Sequence, residues 1–301
     1  MKIRLILGIL ALLFAVGCSS DKGTTTPPIF EGLQKYAKNN EIKIMSFNVR
    51  TQNSTDGEYN WPNRKEACVA LIKDQKPAII GFQEAQYERQ WLYLKEQLAD
   101  EYDGWGVNRD SGKESGNGEA MGILYNRSLV RKIDGGTFWL SETPDKCSRG
   151  WDAACNRTAT WGIFEHIATG KKFYYINTHL DHEGKEAQEK GMALIASYFD
   201  KYDSAEYAKF FTGDLNIQAD SPYLDVLDGK MINTRYAAPA SHSDGHATFN
   251  GYTSDHRRTV IDHIYCTLGM KVPEYHTITE RYGGIKFVSD HYPIYAIVKM
   301  D

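Results

Sequence analysis

The chain has 301 residues, 42% hydrophobic and 12% aromatic, which is enough apolar material for one sizeable core and too much for a disordered segment. Its 35 basic and 39 acidic side chains give a formal net charge of −4. A protein that tracks a nucleic-acid backbone carries a basic face, and the compact basic cluster here is confined to His256-Arg257-Arg258, so duplex DNA is disfavoured as a partner.

The chain opens MKIRLILGILALLFAVGCSS, in which Lys2 and Arg4 precede an apolar run too short to span a bilayer comfortably, followed by small residues. That is the pattern of an export signal. The stretch AVGC resembles a bacterial lipoprotein lipobox, with Ala15 where that motif usually has Leu. The resemblance implies cleavage before Cys18, a lipid on its thiol, and a protein anchored to a bacterial membrane, in the periplasm or at the cell surface. The expected organisation is a signal peptide over 1–17, lipidated Cys18 and a Thr-, Pro- and Asn-rich tether over 18–40, and one monomeric domain over 41–301. Loss of Lys2 and Arg4 takes the formal charge to about −6.

EIKIMSFNV (41–49) alternates apolar and polar residues and predicts a strand. RKEACVALIKDQ (64–75) has helical spacing and is ended by Pro77 before the apolar strand AIIGFQE (78–84). A second helix is expected over 86–98, then a loop holding NRDSGKESGNG (108–118) and the strand AMGILYN (120–126). WGIFEHIATGKKFYYINTHL (161–180) reads as two strands about a Gly turn, EAQEKGMALIASYFDKY (186–202) as an amphipathic helix, and AKFFTGDLN (208–216), TVIDHIYCTL (259–268) and YPIYAIVKM (292–300) as strands. Such a mixture, without a clean parallel wind, indicates a mixed-sheet α/β domain. Cys68 and Cys266 lie in apolar settings that suit buried thiols; Cys147 and Cys155 flank the loop CSRGWDAAC, where a short-range disulfide is plausible in an oxidising compartment and is left open.

The strands share a feature that propensity does not explain. Apolar runs end in polar groups at Asn48, Glu84, His179, Asp214 with Asn216, Asp262, and Asp290 with His291. Strand ends facing one rim converge on one cleft. Glu84, Asp214, Asp290 and the amides of Asn48 and Asn216 are hard oxygen donors suited to Mg²⁺, Mn²⁺ or Ca²⁺, and the histidines are too few beside them to demand zinc. A divalent ion with His and Asp groups is the equipment for phosphoester hydrolysis.

Taken in order, SFNVR, GFQEA, INTHLDH, GDLN, IDHI and SDHYP resemble the endonuclease/exonuclease/phosphatase superfamily over about 42–298. Each piece alone is weak, and six in fixed order are specific. The resemblance implies a four-layer αββα sandwich of two packed mixed β-sheets flanked by helices. It implies Glu84 as main metal ligand, with Asn48 and Asp290 completing or supporting the metal environment. Asp214 and Asn216 would orient the attacking water and a phosphate oxygen. His291, paired with Asp262, would act as general base or phosphate donor, and His179 would donate to a non-bridging oxygen or the leaving group. Glu119 sits where deoxyribonuclease I-like members keep a carboxylate that orients the second histidine, and Arg50 and Arg157 are placed to touch phosphate.

Taken singly, Asn48 could be a strand-end turn former and Asp214-Leu215-Asn216 an Asx turn, but their company argues otherwise. Glu84 directly after IIGFQ would be expensive to bury unpaired. His182, His256, His263 and His276 are taken as bystanders, His263 because it follows Asp262 along a strand and points to the opposite face. Trp61, Trp105 and Trp139 suit core or sheet-edge packing, whereas Trp151, in a polar loop, and Tyr252 are candidates to meet substrate. The function expected is an exported, metal-dependent phosphoesterase, acting on a small molecule or a lipid or sugar head group in preference to DNA. The alternatives are a secreted nuclease acting on DNA or RNA and, in another class, a surface binding protein that kept the fold and lost catalysis.

Overall fold

The computed structural model describes residues 36–201, 207–253 and 259–301. The signal peptide, Cys18, most of the tether and the His256-Arg257-Arg258 cluster therefore lie outside the described residues. In chain order the elements are β1 (Glu41–Asn48), α1 (Trp61–Gln75), β2 (Ile79–Gln83), β3 (Ala85–Gln86), α2 (Leu92–Gln97), β4 (Tyr102–Trp105), β5 (Glu119–Ala120), β6 (Ile123–Asn126) and β7 (Val130–Trp139). They continue with β8 (Thr158–His166), β9 (Lys172–His179), α3 (Lys185–Lys201), β10 (Ala208–Asp214), β11 (Met231–Asn233), α4 (Thr234–Ala237), β12 (Asp262–Thr267), β13 (Glu274–Thr277) and β14 (Ile294–Lys299).

Two six-stranded sheets carry the fold, ordered β13-β14-β1-β2-β6-β4 and β11-β12-β10-β9-β8-β7. The period-2 alternation of each strand divides the apolar side chains into three layers. From β1, Met45 and Phe47 join Leu71, Ile72 and Trp91 under the first helices. Ile42 and Ile44 meet Phe173, Tyr175 and Phe210 between the sheets. Tyr174, Ile176 and Phe211 pack on Met192, Ile195 and Phe199 of α3. Helix, sheet, sheet and helix thus form the four-layer αββα sandwich expected. Among the described residues, no helix is long and apolar enough to cross a membrane.

Local departures have local causes. α1 starts before the predicted boundary, because Pro62 in its first turn needs no hydrogen-bond partner there, and it closes at Lys76 in the left-handed region with φ 45°. The helix expected over 86–98 is a π turn at Tyr87–Trp91 followed by the short α2. The strand expected over 120–126 is interrupted between β5 and β6. β7 was not foreseen: its sequence VRKIDGGTFW carries two glycines and no alternation, yet it pairs along β8 with a register shift between Lys132 and Asp134.

The topology places the strand ends. β1 and β2 are parallel, as are β9 and β10, so four C-terminal ends emerge at one rim. β12 runs antiparallel to β10 and sets Asp262 opposite Asp214, while β14 runs antiparallel to β1 and brings the residues preceding Ile294 to the same end. Beneath this rim the sheets come close at Gly81, where a Cβ would lie 2.2 Å from Asn177 Oδ1 and 2.5 Å from Thr212 Oγ1. The space is filled by a buried polar network: Gln83 Nε2 donates to Asn177 Oδ1 at 2.7 Å, Asn177 Nδ2 to Phe82 O at 2.8 Å, and Thr212 Oγ1 to Asn177 Oδ1 at 3.1 Å.

Candidate active site

A cleft of about 730 Å³ opens over those strand ends, lined among others by Arg50, Glu84, Asn216, Asp290 and His291. Glu84 is the residue that alternation alone would misplace. Ile80 and Phe82 face the helices, and residue 84 would follow them. Its backbone is left-handed, with φ 58°, which turns the carboxylate into the cleft. Arg50 and Asn216, which also line the cleft, have φ 53° and 52°. Half of the six non-glycine left-handed residues in the described chain thus stand at this one place, at a cost on the order of 1–3 kcal/mol each.

Asn48 lies buried behind the cleft and ties its carboxylates together. Its Nδ2 donates to Glu84 Oε1 at 3.0 Å and Asp214 Oδ2 at 2.9 Å, while its Oδ1 accepts from Arg50 N. Glu84 Oε2 accepts from Thr51 N at 2.9 Å. His291 Nδ1 is 2.8 Å from Asp262 Oδ2, which leaves Nε2 toward Asp214 Oδ2 at 3.6 Å. His179 Nε2 approaches the same oxygen at 3.5 Å. Asp214 Oδ1 accepts from Asn216 N, and Asn216 Nδ2 donates to Leu180 O. Asp290 is 3.5 Å from Arg50 Nε.

Burial pushes the Asp214 carboxyl up to about 7, against the pull of His291 and with the help of the charges on Asp262 and Glu84. Asp290 is likewise raised by burial, against His291. For Glu84 burial works upward too, but His291, the Thr51 N–H and the Asn48 amide outweigh it and hold the group low. Burial opposes a charge on His291, yet Asp262 and Asp214 hold its pKa well above the ordinary imidazole value. His179 is held well below that value, first by burial and then by the charges of Arg157 and Arg109. Two histidines 3.5 and 3.6 Å from one carboxylate oxygen are therefore pushed in opposite directions, His291 toward its charged form and His179 toward its neutral one.

The donor set fits a hard divalent cation. Ligand atoms of Glu84, Asp214 and His291 all lie within 4.8 Å of one another, and the carboxylate oxygens of Glu84 and Asp214 are the hard donors such an ion takes. Asn48, with both ends of its amide engaged in the protein, supports the site by fixing two carboxylates.

Three expectations need correction. Glu119 lines the cleft but its Oε2 is bound by Arg109 Nη1 at 2.6 Å, and His179 Nδ1 is buried with no hydrogen-bond partner, so the carboxylate expected to orient that histidine is engaged elsewhere. Tyr252 does not line the cleft: its ring stacks on Tyr59 at 4.7 Å and meets Phe287, because an aromatic at a left-handed turn here finds apolar partners behind it. Trp151 does not reach the cleft either and packs against the α3-side core. Cys147 and Cys155 are free thiols, like Cys68 and Cys266. Arg157 lines the cleft, its Nε 3.1 Å from buried Asp181 Oδ2.

Sequence reasoning missed Arg109 and His182, both in the cleft wall. His182 was set aside as a bystander, but its Nδ1 lies 2.9 Å from Arg157 Nη2. The signal for it was its place in INTHLDH, directly after the strand end that supplies His179. Arg109 sits in the loop whose sequence pattern is uninformative. His263 is the bystander expected, its Nε2 2.9 Å from Ile217 O, and His276 pairs with Asp244 and Glu280.

Residues 45–291 match the profile of the Endonuclease/Exonuclease/phosphatase family. A crystal structure of an endonuclease/exonuclease/phosphatase from Bacteroides vulgatus is similar with 32% identity and a TM-score of 0.79, over 87% of this chain and 99% of that one. The mannosyl-6-phosphatase of Bacteroides thetaiotaomicron VPI-5482 is similar with 28% identity and a TM-score of 0.76, over 85% and 98%. Protein L388 of Acanthamoeba polyphaga mimivirus is 26% identical over 288 residues, 85% of this chain and 99% of that protein.

Proposed function

The chain belongs to the endonuclease/exonuclease/phosphatase family, whose members are phosphoesterases and nucleases, and on that premise we propose that it is an exported, Mg²⁺-dependent phosphoesterase acting on a phosphorylated sugar or other small phosphorylated head group. The observation that carries this reading is the close approach of Glu84, Asp214 and His291, within 4.8 Å, in a cleft whose facing wall holds Arg157 and His179. The similarity to a mannosyl-6-phosphatase favours a sugar phosphate. The leader and the lipobox-like AVGC support export and a lipid anchor at Cys18.

Glu84 is the principal ligand candidate for the cation, with Asp290 beside it and Asn48 holding Glu84 and Asp214 in place. When bound, the cation supplies charge neutralisation of the phosphate and polarises it toward attack. Asp214 faces the cleft from a bond to Asn216 N and is the group to hold the attacking water, with Asn216 beside it. Asp262 fixes His291 Nδ1, so that Nε2 presents its proton to a phosphate oxygen. His179, whose pKa burial lowers, donates to a second oxygen or to the departing alkoxide, and Arg50 and Arg157 add positive charge at the rim and in the wall.

Phosphate release from hexose 6-phosphates by the purified full chain tests the reading. Mg²⁺ or Mn²⁺ should be required, EDTA should abolish release, and added metal should restore it. Inertness across sugar phosphates, other small phosphoesters and several metals would instead support the binding-protein alternative, and cleavage confined to nucleic acids would support a nuclease.

A further inference from the structure

Beside the carboxylates Glu84, Asp214 and Asp290, which Arg50 accompanies, the cleft is lined by Arg109, paired with Glu119, and by Arg157, with His179 and His182; the two groups meet where His179 Nε2 reaches Asp214 at 3.5 Å. Resting on the phosphoester reading, we propose that Arg109 and Arg157 form a clamp for the terminal oxygens of a phosphate monoester dianion, so that the cleft selects monoesters over diesters.

Both arginines are built in. The Arg157 side chain is 5% exposed and is held through Nε by Asp181 and through Nη2 by His182. Asp181 is itself fixed by the N–H groups of Ala154, Glu183 and Gly184. No described residue accepts from Arg157 Nη1, on a guanidinium that lines the cleft. Arg109 is anchored by its backbone: its carbonyl accepts from Trp139 Nε1 at 2.7 Å and from the Asn156 amide, and its N–H donates to Glu119 O. Its Nη1 engages Glu119, while its Nε is buried with no hydrogen-bond partner. This arrangement leaves two held guanidinium groups in the cleft wall, with Arg157 Nη1 unused. Guanidinium forks match the paired oxygens of a phosphate, and burial makes each charge count for more than it would on the surface. A monoester offers three non-bridging oxygens and close to two charges at neutral pH, so one oxygen can meet the cation and two remain for the wall. A diester offers two oxygens and one charge, and its second ester arm would have to pass where the arginines stand.

Isothermal titration of the full chain in Mg²⁺ with inorganic phosphate and with diethyl phosphate provides the test, joined to turnover of p-nitrophenyl phosphate and bis-(p-nitrophenyl) phosphate. The wild type should bind inorganic phosphate, and Arg109→Gln should weaken it by about 10²-fold, the usual loss for a buried charged hydrogen bond, while diethyl phosphate binding changes only a few-fold. Turnover of the monoester should fall in parallel, and that of the diester by a much smaller factor. Arg157→Lys, which keeps the charge and removes the fork, should show the same bias to a lesser degree. Arg109→Gln also leaves Glu119 without its partner, so the melting temperature of each variant is measured alongside; should Arg109→Gln fail to fold, Arg109→Lys takes its place. A wild type that does not bind phosphate, or variants that weaken both anions equally or neither, would overturn the clamp. A wild type that binds phosphate through Arg109 yet hydrolyses no ester leaves the clamp standing and removes the enzymatic reading.

Discussion

One hydrogen bond gives His291 a direction. Its Nδ1 meets Asp262 Oδ2 at 2.8 Å, across the register that pairs Asp262 with Asp214, so the imidazole cannot turn and its Nε2 must face the cleft. Asp262, 2% exposed, touches the cleft only through this histidine. Asp262→Asn keeps the shape and a hydrogen bond but removes the charge that raises the imidazole, so the His291 pKa should fall toward its ordinary value. The expected result is a loss of kcat of ~10²–10⁴-fold with little change in KM, because proton transfer and orientation are impaired and binding is not. A loss smaller than tenfold, with the same fold by circular dichroism, would mean that His291 is positioned without its aspartate. His179 offers the contrast: its Nδ1 has no partner, and burial, with the charges of Arg157 and Arg109, lowers its pKa without an acid behind Nδ1 to oppose them.

At the scale of strands and loops, the boundary between what was legible and what was not follows the physics of each signal. Asn48, His179, Asp214 and Asp262 were readable because strand ends inherit their direction from period-2 alternation and from parallel or antiparallel pairing. Glu84 was found by its chemistry, although alternation alone points it the wrong way and only its φ of 58° corrects this. Arg109 escaped because NRDSGKESGNG is shaped by turns and by the Asn108 side chain, which bonds Ser115 O and Asp110 N and leaves no periodicity to read. Trp151 and Tyr252 misled because an aromatic in a polar loop can be covered from behind, which burial decides and sequence does not. The close sheet contact at Gly81 was also invisible in the sequence, and it supports a direct test. Gly81→Ala puts a methyl against Asn177 and Thr212 at distances no side chain tolerates, and should cost ~1–3 kcal/mol with a fall in urea midpoint. Gly191→Ala in α3 meets only Leu140 and Leu180 at 3.5 Å and gains helix propensity, so its midpoint should hold or rise. An unchanged midpoint for Gly81→Ala would show that the sheets can separate there without cost.

Across the whole molecule, the distribution of charge argues for a small substrate more strongly than its sum. The formal net charge is −4, and the arginines that line the cleft wall, Arg109 and Arg157, have side chains only 13% and 5% exposed. A polymer backbone releases condensed counterions when exposed Lys and Arg replace them along several phosphates, which makes its binding steeply dependent on salt. Buried charges meeting a single phosphate are screened far less, because the solvent and its ions are excluded from between them. For a hexose 6-phosphate, log kcat/KM against log salt should therefore fall with a slope shallower than about −1, whereas engagement of 6–10 backbone phosphates would give a slope many times steeper. A duplex oligonucleotide added at low salt should leave the apparent KM for the sugar phosphate unchanged. Tight competition by the oligonucleotide that disappears as salt is raised would place a polyanion across this cleft and would make the acidic surface a poor guide to what the rim presents.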